Sequence, residues 1–172
     1  MYVTVIAMSD GKSAPDVAVL FRQHGPMVYR RAFHLLGRRE DAEEAVQEVF
    51  IRVMRHVSDF EGRSSMTTWL YQVTTNYCLN LLRDRGRRQQ LFAENVLASS
   101  DGSSVSDSDL LHLRRLLGQA DERQAQAVVY VFLDGMSHEE AAGLLLISKR
   151  SVGNLIERFL QWAKGRSEEA SK

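Results

Sequence analysis

Residues 99–108 limit the fold of this chain more than any other segment, because the sequence SSDGSSVSDS has almost nothing to bury. A segment of this kind cannot offset the conformational entropy that it loses on folding, so it predicts a flexible tether. It divides the 172 residues into an N-terminal block of about 80 ordered residues and a C-terminal block of about 60, each near the lower limit for independent folding. We therefore expect two small domains.

An apolar stripe in the first block predicts an amphipathic helix. Apolar residues recur at i, i+3, i+4, i+7, i+8 and i+11 from Val46 to Val57, which is the spacing of one buried helical face. Asp41 followed by Glu44 resembles a capping box, so this helix is expected to begin near position 41.

Two further helices flank this one. The helix before it spans about residues 14–36, with a kink or break expected at Gly25–Pro26. The helix after it runs from about Thr67 into a cluster of arginines, and a polar loop containing Gly62 precedes it. The first block is therefore interpreted as a helical bundle.

The second block is predicted to contain four short helices. The second of these ends at Asp134–Gly135, a glycine C-cap pattern, and Ser137 with Glu140 forms a capping box for the third. Ser148 is expected to cap the fourth. No segment of the chain shows sustained period-two alternation, so we predict an all-α fold without a sheet.

The net charge, the cysteine count and the length of the apolar runs argue against several classes of protein. Basic and acidic residues number 22 each, and a net charge of zero argues against a protein that coats nucleic acid by bulk electrostatics. The single cysteine, Cys78, excludes an intrachain disulfide and is expected to pack as a small side chain, which fits a reducing cytoplasm. The apolar run Val3–Met8 is far shorter than the roughly 20 residues that a membrane span needs. We expect no membrane insertion, and we interpret residues 1–13 as a frayed tail.

The last two helices have the lengths and the short connection of a helix-turn-helix. In that motif the second helix lies in the major groove, and its first residues face base edges. The side chains of suitable type there are Lys149, Arg150, Ser151 and Asn154. Arg158 follows one turn later, at a position suited to a phosphate contact. These residues alone fit an ordinary helical hairpin with a solvated polar face equally well.

The third helix of the first block carries a second candidate surface. It begins near Trp69, and its polar side chains can hydrogen-bond to bases: Gln72, Thr75, Asn76 and Asn80. The arginines that follow, at positions 83, 85, 87 and 88, resemble a phosphate clamp beside such a face. Taken alone, the cluster also fits a solvated helix end that favours the helix dipole. Trp69 fits core packing better than base stacking, because its i+4 and i+8 partners are apolar or aromatic.

The sequence does not contain a recognisable enzyme site. The acidic residues within 40–48 point in different directions around a helix, so a solvated or partner-binding face explains them better than a metal site. The five histidines are scattered and have no second His or Cys at zinc spacing. No phosphate-binding glycine loop, nucleophile elbow or HExxH motif occurs. We expect no metal, no cofactor and no catalytic residue.

Taken together, these segments resemble a known family. Residues 41–53 (DAEEAVQEVFIRV), Phe60 with Gly62, and the stretch from Thr68 through Asn76 to Arg83 resemble region 2 of bacterial sigma factors of the extracytoplasmic-function group. Residues 121–124 (DERQ), 135–142 (GMSHEEAA) and Ser151–Val152 resemble region 4 of the same family. The segments occur in the family's order around the tether, and they cover most of the chain.

The resemblance implies a non-enzymatic RNA polymerase sigma factor. Its partners would be core RNA polymerase, promoter DNA and an anti-sigma factor that controls it. The implied organisation is a disordered tail at 1–13, region 2 at 14–90, a flexible linker at 91–108, region 4 at 109–166 and a short tail at 167–172.

The resemblance also assigns roles to individual residues. Those implied to bind the polymerase are Glu44, Gln47 and Glu48. Those implied to recognise and melt the minus-ten element are Phe60, Arg63, Ser64, Ser65, Trp69, Gln72, Thr75, Asn76, Arg83, Arg87 and Arg88. Those implied to recognise the minus-thirty-five element are Ser148, Lys149, Arg150, Ser151, Asn154 and Arg158.

The chain departs from the family's pattern in the second block. Leu146 occupies the place where the turn usually has glycine, and Gly153 and Leu155 stand where basic residues are common. Leu155, Leu160 and Trp162 give the last helix an extra apolar face, which we predict docks onto the first block or onto an inhibitory partner.

Two rival interpretations come from other classes of protein. A stand-alone helix-turn-helix regulator would act by occupancy, but it would not explain the acidic helix or the Trp69 helix. A metal-dependent nuclease that uses the acidic cluster is the more distant rival, because no ligand set converges.

Overall fold

The computed structural model describes residues 16–56, 64–93 and 105–170, with side chains described for 16–56, 64–88 and 109–166. In these ranges every element is helical, as predicted. In chain order the helices are α1 (Val17–Leu36), α2 (Arg39–His56), α3 (Met66–Ala93), α4 (Val105–Gln119), α5 (Glu122–Val128), α6 (His138–Leu145) and α7 (Lys149–Ala170). Helix α5 continues into a π-helical segment at Val129–Leu133.

Helix α1 begins after Asp16, whose side chain accepts a 2.8 Å hydrogen bond from the backbone N–H of Ala18. We predicted a kink or a break at Gly25–Pro26, and a break is wrong because the helix continues through both residues. A proline inside a helix removes a backbone hydrogen bond and costs about 3 kcal/mol. Leu20 and Val28, on either side of the proline, are buried where α1 packs against α2 and α3, and this packing holds the helix together.

Helix α2 begins at Arg39, and the predicted capping box at Asp41 and Glu44 is wrong. The Asp41 carboxylate lies inside the first turn and accepts two 2.6 Å hydrogen bonds from the guanidinium of Arg85 on α3. Charge-assisted bonds of this kind are about twice as strong as neutral ones. The same bonds hold the pKa of Asp41 below its ordinary value. Asp41 therefore ties α2 to α3 instead of capping its own helix.

Two helices extend into the residues that we predict to form the linker, 91–108. Residues 91–93 continue α3, and residues 105–108 form the start of α4. Serine and aspartate favour the first turn of a helix as well as a disordered segment, so composition alone did not separate the two.

The turns of the second block follow the predicted local signals. The π-helical segment ends at Asp134, and Gly135 adopts a φ of +67°. Ser137 and Glu140 form the predicted capping box, in which the backbone N–H of Ser137 donates to the Glu140 carboxylate at 2.8 Å. Helix α7 is longer than the short helix expected there.

Helix α3 lies at the centre and contacts α1, α2, α4 and α5. The buried side chains of both blocks form one continuous cluster around it. Gly118 of α4 permits the close crossing of α3 and α4, because a Cβ at this position would lie 2.6 Å from the backbone oxygen of Leu82. Helix α7 packs against α5 and α6. Its predicted extra apolar face is partly covered there, with Leu160 half exposed and Leu155 and Trp162 packed against the core.

Candidate nucleic-acid interface

The acidic face of α2 is accessible. Glu44 and Gln47 are exposed and Glu48 is half-buried. The apolar side of the same helix, including Val49 and Val53, packs against α1 and α3. Helical periodicity thus separates a buried stripe from a carboxylate-bearing face that is free to meet a partner.

The start of α3 is capped by a serine. Ser65 Oγ accepts a 3.1 Å hydrogen bond from the backbone N–H of Thr68, and both Ser64 and Ser65 are exposed. Trp69 is partly buried against the core, in line with the packing role predicted for it. Two predicted site residues of the preceding loop, Phe60 and Arg63, lie outside the described residues.

The polar side chains further along α3 contact the second block. Gln72 Nε2 donates a 2.8 Å hydrogen bond to the backbone oxygen of Leu144, and Asn76 Oδ1 accepts one of 2.8 Å from Gln126 Nε2. Thr75 is fully buried. These three side chains, which are among those that we predict to read bases, are all engaged within the protein in this conformation.

The arginine cluster divides into inward and outward members. Arg85 pairs with Asp41, and Arg83 donates a 2.6 Å hydrogen bond to Asn80 and lies 3.8 Å from Glu122 of α5. Arg87 and Arg88 are exposed. Arg87 and Arg88 are therefore the members with side chains available to a nucleic acid phosphate in this arrangement.

An ion pair between Arg31 of α1 and Asp134 joins the two blocks. Both side chains are buried, 5% and 9% exposed. Arg31 Nη1 donates to Asp134 Oδ1, and Nη2 donates to Oδ2 at 2.9 Å. Thr75 Oγ1 accepts two further bonds from the same guanidinium, at 3.2 and 3.1 Å.

Two tyrosines enclose this ion pair. The Arg31 guanidinium lies 4.3 Å from the centre of the Tyr71 ring, and the Tyr71 and Tyr130 rings stack at 6.2 Å. Burial, and then a hydrogen bond to Asp134, raise the pKa of Tyr71 above its ordinary value, and burial also raises that of Tyr130. Both phenols are therefore neutral hydrogen-bonding groups.

The sequence did not predict the buried pair of Arg31 and Asp134. One signal was present, since Arg31 falls on the buried stripe of α1, three residues after Val28 and four before Leu35. A charged residue on an apolar stripe needs a buried partner. The identity of that partner could not be read from the sequence, because Asp134 lies 103 residues further along the chain.

The first turn of α7 presents an exposed basic end. Lys149, Arg150, Asn154 and Arg158 are exposed, as is Ser148. Ser148 Oγ accepts a 3.1 Å hydrogen bond from the backbone N–H of Ser151 and so caps the helix as predicted. The turn before it places Leu146 at a φ of 55° with 89% of its surface exposed. Of the residues predicted for the minus-thirty-five element, all but the partly buried Ser151 thus have exposed side chains.

The described residues contain no group of three or more side chains placed to hold a metal ion. None of the described helices combines the length and apolar character of a bilayer-spanning segment. Cys78 is fully buried, and burial raises the pKa of its thiol to about 12.

Comparison with protein families divides the chain at the same place as its blocks. Residues 20–88 match the family model of sigma-70 region 2, and residues 110–161 match that of sigma-70 region 4. Among curated proteins, the chain is 33% identical over 162 residues to the ECF RNA polymerase sigma factor SigE of Mycolicibacterium smegmatis, covering 90% of this chain and 63% of that protein. It is 27% identical over 157 residues to SigX of Bacillus subtilis, covering 83% of this chain and 79% of the relative.

Solved structures share the fold. The sigma factor RpoE in complex with the anti-sigma factor NepR, from Bartonella quintana, superposes with a TM-score of 0.50 at 20% identity, covering 86% of this chain and 94% of that one. CnrH in complex with the cytosolic domain of CnrY superposes with a TM-score of 0.51 at 21% identity, covering 89% and 88%.

Proposed function

Because this chain belongs to the extracytoplasmic-function group of the sigma-70 family, we propose that it binds core RNA polymerase and directs it to specific promoters. The observation that carries the proposal is the order of the two matched regions in one chain, each with its own exposed polar surface. In this role the protein is an initiation factor and not a catalyst. It would act in the cytoplasm, where polymerase and DNA are found.

The polymerase contact is assigned to α2. Glu44 and Gln47 are exposed and Glu48 borders them, so the face offers carboxylates to a basic partner without disturbing the buried stripe. Charges at the rim of an interface chiefly set the association rate and its salt dependence. We therefore expect complex formation to weaken as ionic strength rises.

The minus-ten contact is assigned to α3 and the loop before it. Extruding a base from a duplex costs a few kcal/mol, so a preformed protein surface that receives it helps to separate the strands without ATP. Ser64 and Ser65 lie exposed at the start of α3, with Trp69 one turn later. Gln72 and Asn76 follow along the same helix and supply amide groups that can pair with base edges.

The minus-thirty-five contact is assigned to α7. Lys149 and Arg150 occupy its exposed first turn, which is the end that enters the major groove in a helix-turn-helix. Because both domains are held on one polymerase, each raises the effective concentration of the other at its DNA element. Each domain then needs only a modest affinity for its own DNA element, which agrees with the chain's net charge of zero.

An anti-sigma factor is the proposed inhibitor. One structural neighbour is a sigma factor in complex with an anti-sigma factor. Another is CnrH, an RNA polymerase sigma factor by name, in complex with the cytosolic domain of CnrY. In this chain, Phe21, Tyr29 and Val46 line a groove between α1 and α2 that also reaches Gln47. An apolar segment bound there would compete with the polymerase for the acidic face.

The test is complex formation with purified core polymerase. The chain should co-elute with the core enzyme in size-exclusion chromatography, and a variant with Glu44, Gln47 and Glu48 replaced by alanine should not. Glu139→Ala with Glu157→Ala is the matched control, since it removes exposed carboxylates from the second block. Failure of the unaltered chain to bind the enzyme, together with unaided binding of a duplex operator, would support the rival regulator and overturn the proposal.

A further inference from the structure

A pocket of about 390 Å³ lies where the turn between α1 and α2 meets α3 and α4. Its volume falls within the range of small-molecule sites, about 300–1,000 Å³. The residues that line this pocket, which we call the arginine pocket, include no acidic residue and four arginines: Arg38, Arg85, Arg114 and Arg115. The chain as a whole has equal numbers of basic and acidic residues, so the excess of positive charge is local. Guanidinium groups around one pocket repel one another, and a bound anion offsets that repulsion.

Backbone contacts hold Arg114 in place at the wall of the arginine pocket. Its guanidinium donates to the carbonyls of Leu35, at 2.9 Å, and His34, at 3.2 Å. These two bonds orient the cation without neutralising it, because a carbonyl has no net charge. Gly37 makes room for the group, since a Cβ at this position would lie 2.5 Å from Cζ of Arg114. A side chain that is already ordered loses less conformational entropy when a ligand binds.

The other three arginines differ in how far a carboxylate offsets their charge. Arg85 is paired with Asp41 through two bonds of 2.6 Å. Arg38 Nε lies 3.9 Å from Glu40 Oε2, and the two side chains are 70% and 75% exposed, so this pair contributes little. Arg115 is exposed at the edge of the same pocket. Arg38 and Arg115 are therefore the cations that can meet a ligand from solvent.

Three leucines give the arginine pocket an apolar side. Leu36 and Leu82 belong to the buried core, and Leu111 is 44% exposed. A phosphate ion would contact the arginines alone, whereas a phosphorylated molecule with a flat ring would also cover the leucines. Arginine suits both parts of such a ligand, because its planar guanidinium binds phosphate through two parallel bonds and stacks on rings.

We propose that the arginine pocket binds a nucleoside polyphosphate, with its phosphates at the arginines and its base against the leucines. A DNA duplex fits less well. Its backbone could reach Arg38 and Arg115, but Leu36 and Leu82 are only 4% and 7% exposed, and a duplex is too wide to cover them. The site belongs to the chain alone and does not rest on polymerase or promoter binding.

The proposal is tested by isothermal titration calorimetry on the full chain in magnesium-free buffer. The probes are ATP and GTP, with AMP, inorganic pyrophosphate and sulfate for comparison. At least one triphosphate should bind saturably. It should bind about tenfold more tightly than AMP, which has fewer charges for the arginines, and about tenfold more tightly than pyrophosphate, which has no ring to cover the leucines.

An exposed pair of substitutions tests the phosphate contacts. Arg38→Gln combined with Arg115→Gln should weaken triphosphate binding about tenfold, because charge-assisted hydrogen bonds are lost. Arg55→Gln is the matched control, since it removes an exposed arginine from the last turn of α2, at the other end of that helix from Arg38. Both variants should keep the Tm and the circular dichroism spectrum of the unliganded chain, so a loss of binding would not reflect unfolding.

Leu111→Ala tests the base contact. It should weaken triphosphate binding about threefold, because less apolar surface is covered, and should leave pyrophosphate binding unchanged. Attraction between charges alone would not produce this difference.

Several results would overturn the inference. One is the absence of saturable binding of ATP and GTP up to about 1 mM. Another is an equal effect of the paired substitution and of Arg55→Gln. Equal affinities for triphosphate, pyrophosphate and sulfate would indicate a general attraction of anions to arginines. Displacement of the triphosphate by an equimolar DNA duplex would assign the pocket to nucleic acid. None of these assays uses core polymerase, so failure of the proposed function would appear in the core-binding assay and not here.

Discussion

The turn of the helix-turn-helix stores conformational strain at Leu146. Its φ of 55° and ψ of 43° lie in the left-handed region, and its N–H bonds to the backbone oxygen of Ala142 to end α6. An L-residue in this region costs roughly 1–2 kcal/mol. Glycine adopts it freely but loses more entropy on folding, by about 0.5–1 kcal/mol. Since the Leu146 side chain is 89% exposed, its removal forfeits little burial. Leu146→Gly should therefore stabilise the chain by about 1 kcal/mol.

That gain is measurable in a thermal unfolding experiment. Unfolding entropy of roughly 2.1 cal/mol/K per residue gives about 360 cal/mol/K for 172 residues. A gain of about 1 kcal/mol then raises Tm by about 3 °C. Differential scanning calorimetry and urea unfolding should agree on the direction.

Leu146→Ala distinguishes the effect of backbone strain on stability from the effect of removing an exposed apolar side chain. Alanine keeps the Cβ that makes this conformation costly but removes most of the exposed apolar surface. We expect no gain in Tm from alanine. An equal rise for alanine and glycine, or a fall for glycine, would refute the reasoning from backbone strain.

Two further predictions concern the α2–α3 tie and the proposed recognition helix. Asp41→Asn should lower the free energy of unfolding by about 1–2 kcal/mol at pH 7, a figure reduced from that of a fully buried pair because Arg85 is 32% exposed. The pKa of Asp41 is depressed in the folded chain, so its contribution is present above the carboxyl's unfolded pKa of about 4 and is lost as pH falls through the folded value. Urea unfolding should show that the free energies of unfolding of Asp41→Asn and the unaltered chain approach each other as the pH falls. Glu40→Gln, at an exposed neighbouring position, should unfold like the unaltered chain at every pH. A difference between Asp41→Asn and the unaltered chain that does not change with pH would contradict the stabilising role of the Asp41 carboxylate. Arg158→Ala should weaken holoenzyme binding to promoter DNA and reduce the slope of log affinity against log salt by about 1. Lys164→Ala, at another exposed position, should leave the slope unchanged. Identical slopes for the unaltered chain and both variants would exclude a phosphate contact by Arg158.

Local signals predicted the parts of the fold that depend on a few adjacent residues. The Ser137–Glu140 capping box and the turn at Gly135 formed where expected, because their hydrogen bonds and backbone angles are set within one turn. The apparent box at Asp41 failed because its carboxylate has a stronger partner, 44 residues away on α3. A capping box that looks complete in the local sequence therefore does not form when a charged residue far along the chain binds the capping side chain.

The sequence predicted the residue types of the candidate site, but not whether their side chains are already hydrogen-bonded within the protein. The pattern placed amides on α3 and a basic end on α7, since helical spacing and side-chain chemistry determine both. It could not show that Gln72 and Asn76 are bonded to the second block, because that depends on how the blocks pack. The long-range pair of Arg31 and Asp134 was missed for the same reason.

The most direct test of the account is transcription in vitro by core polymerase with and without this chain, on genomic DNA of its source organism, with every RNA 5′ end mapped. We predict a limited set of start sites that require the chain and that share two sequence elements about 25 base pairs apart, roughly 85 Å along the duplex. Scattered starts identical to those of the core enzyme alone would contradict a role in promoter selection.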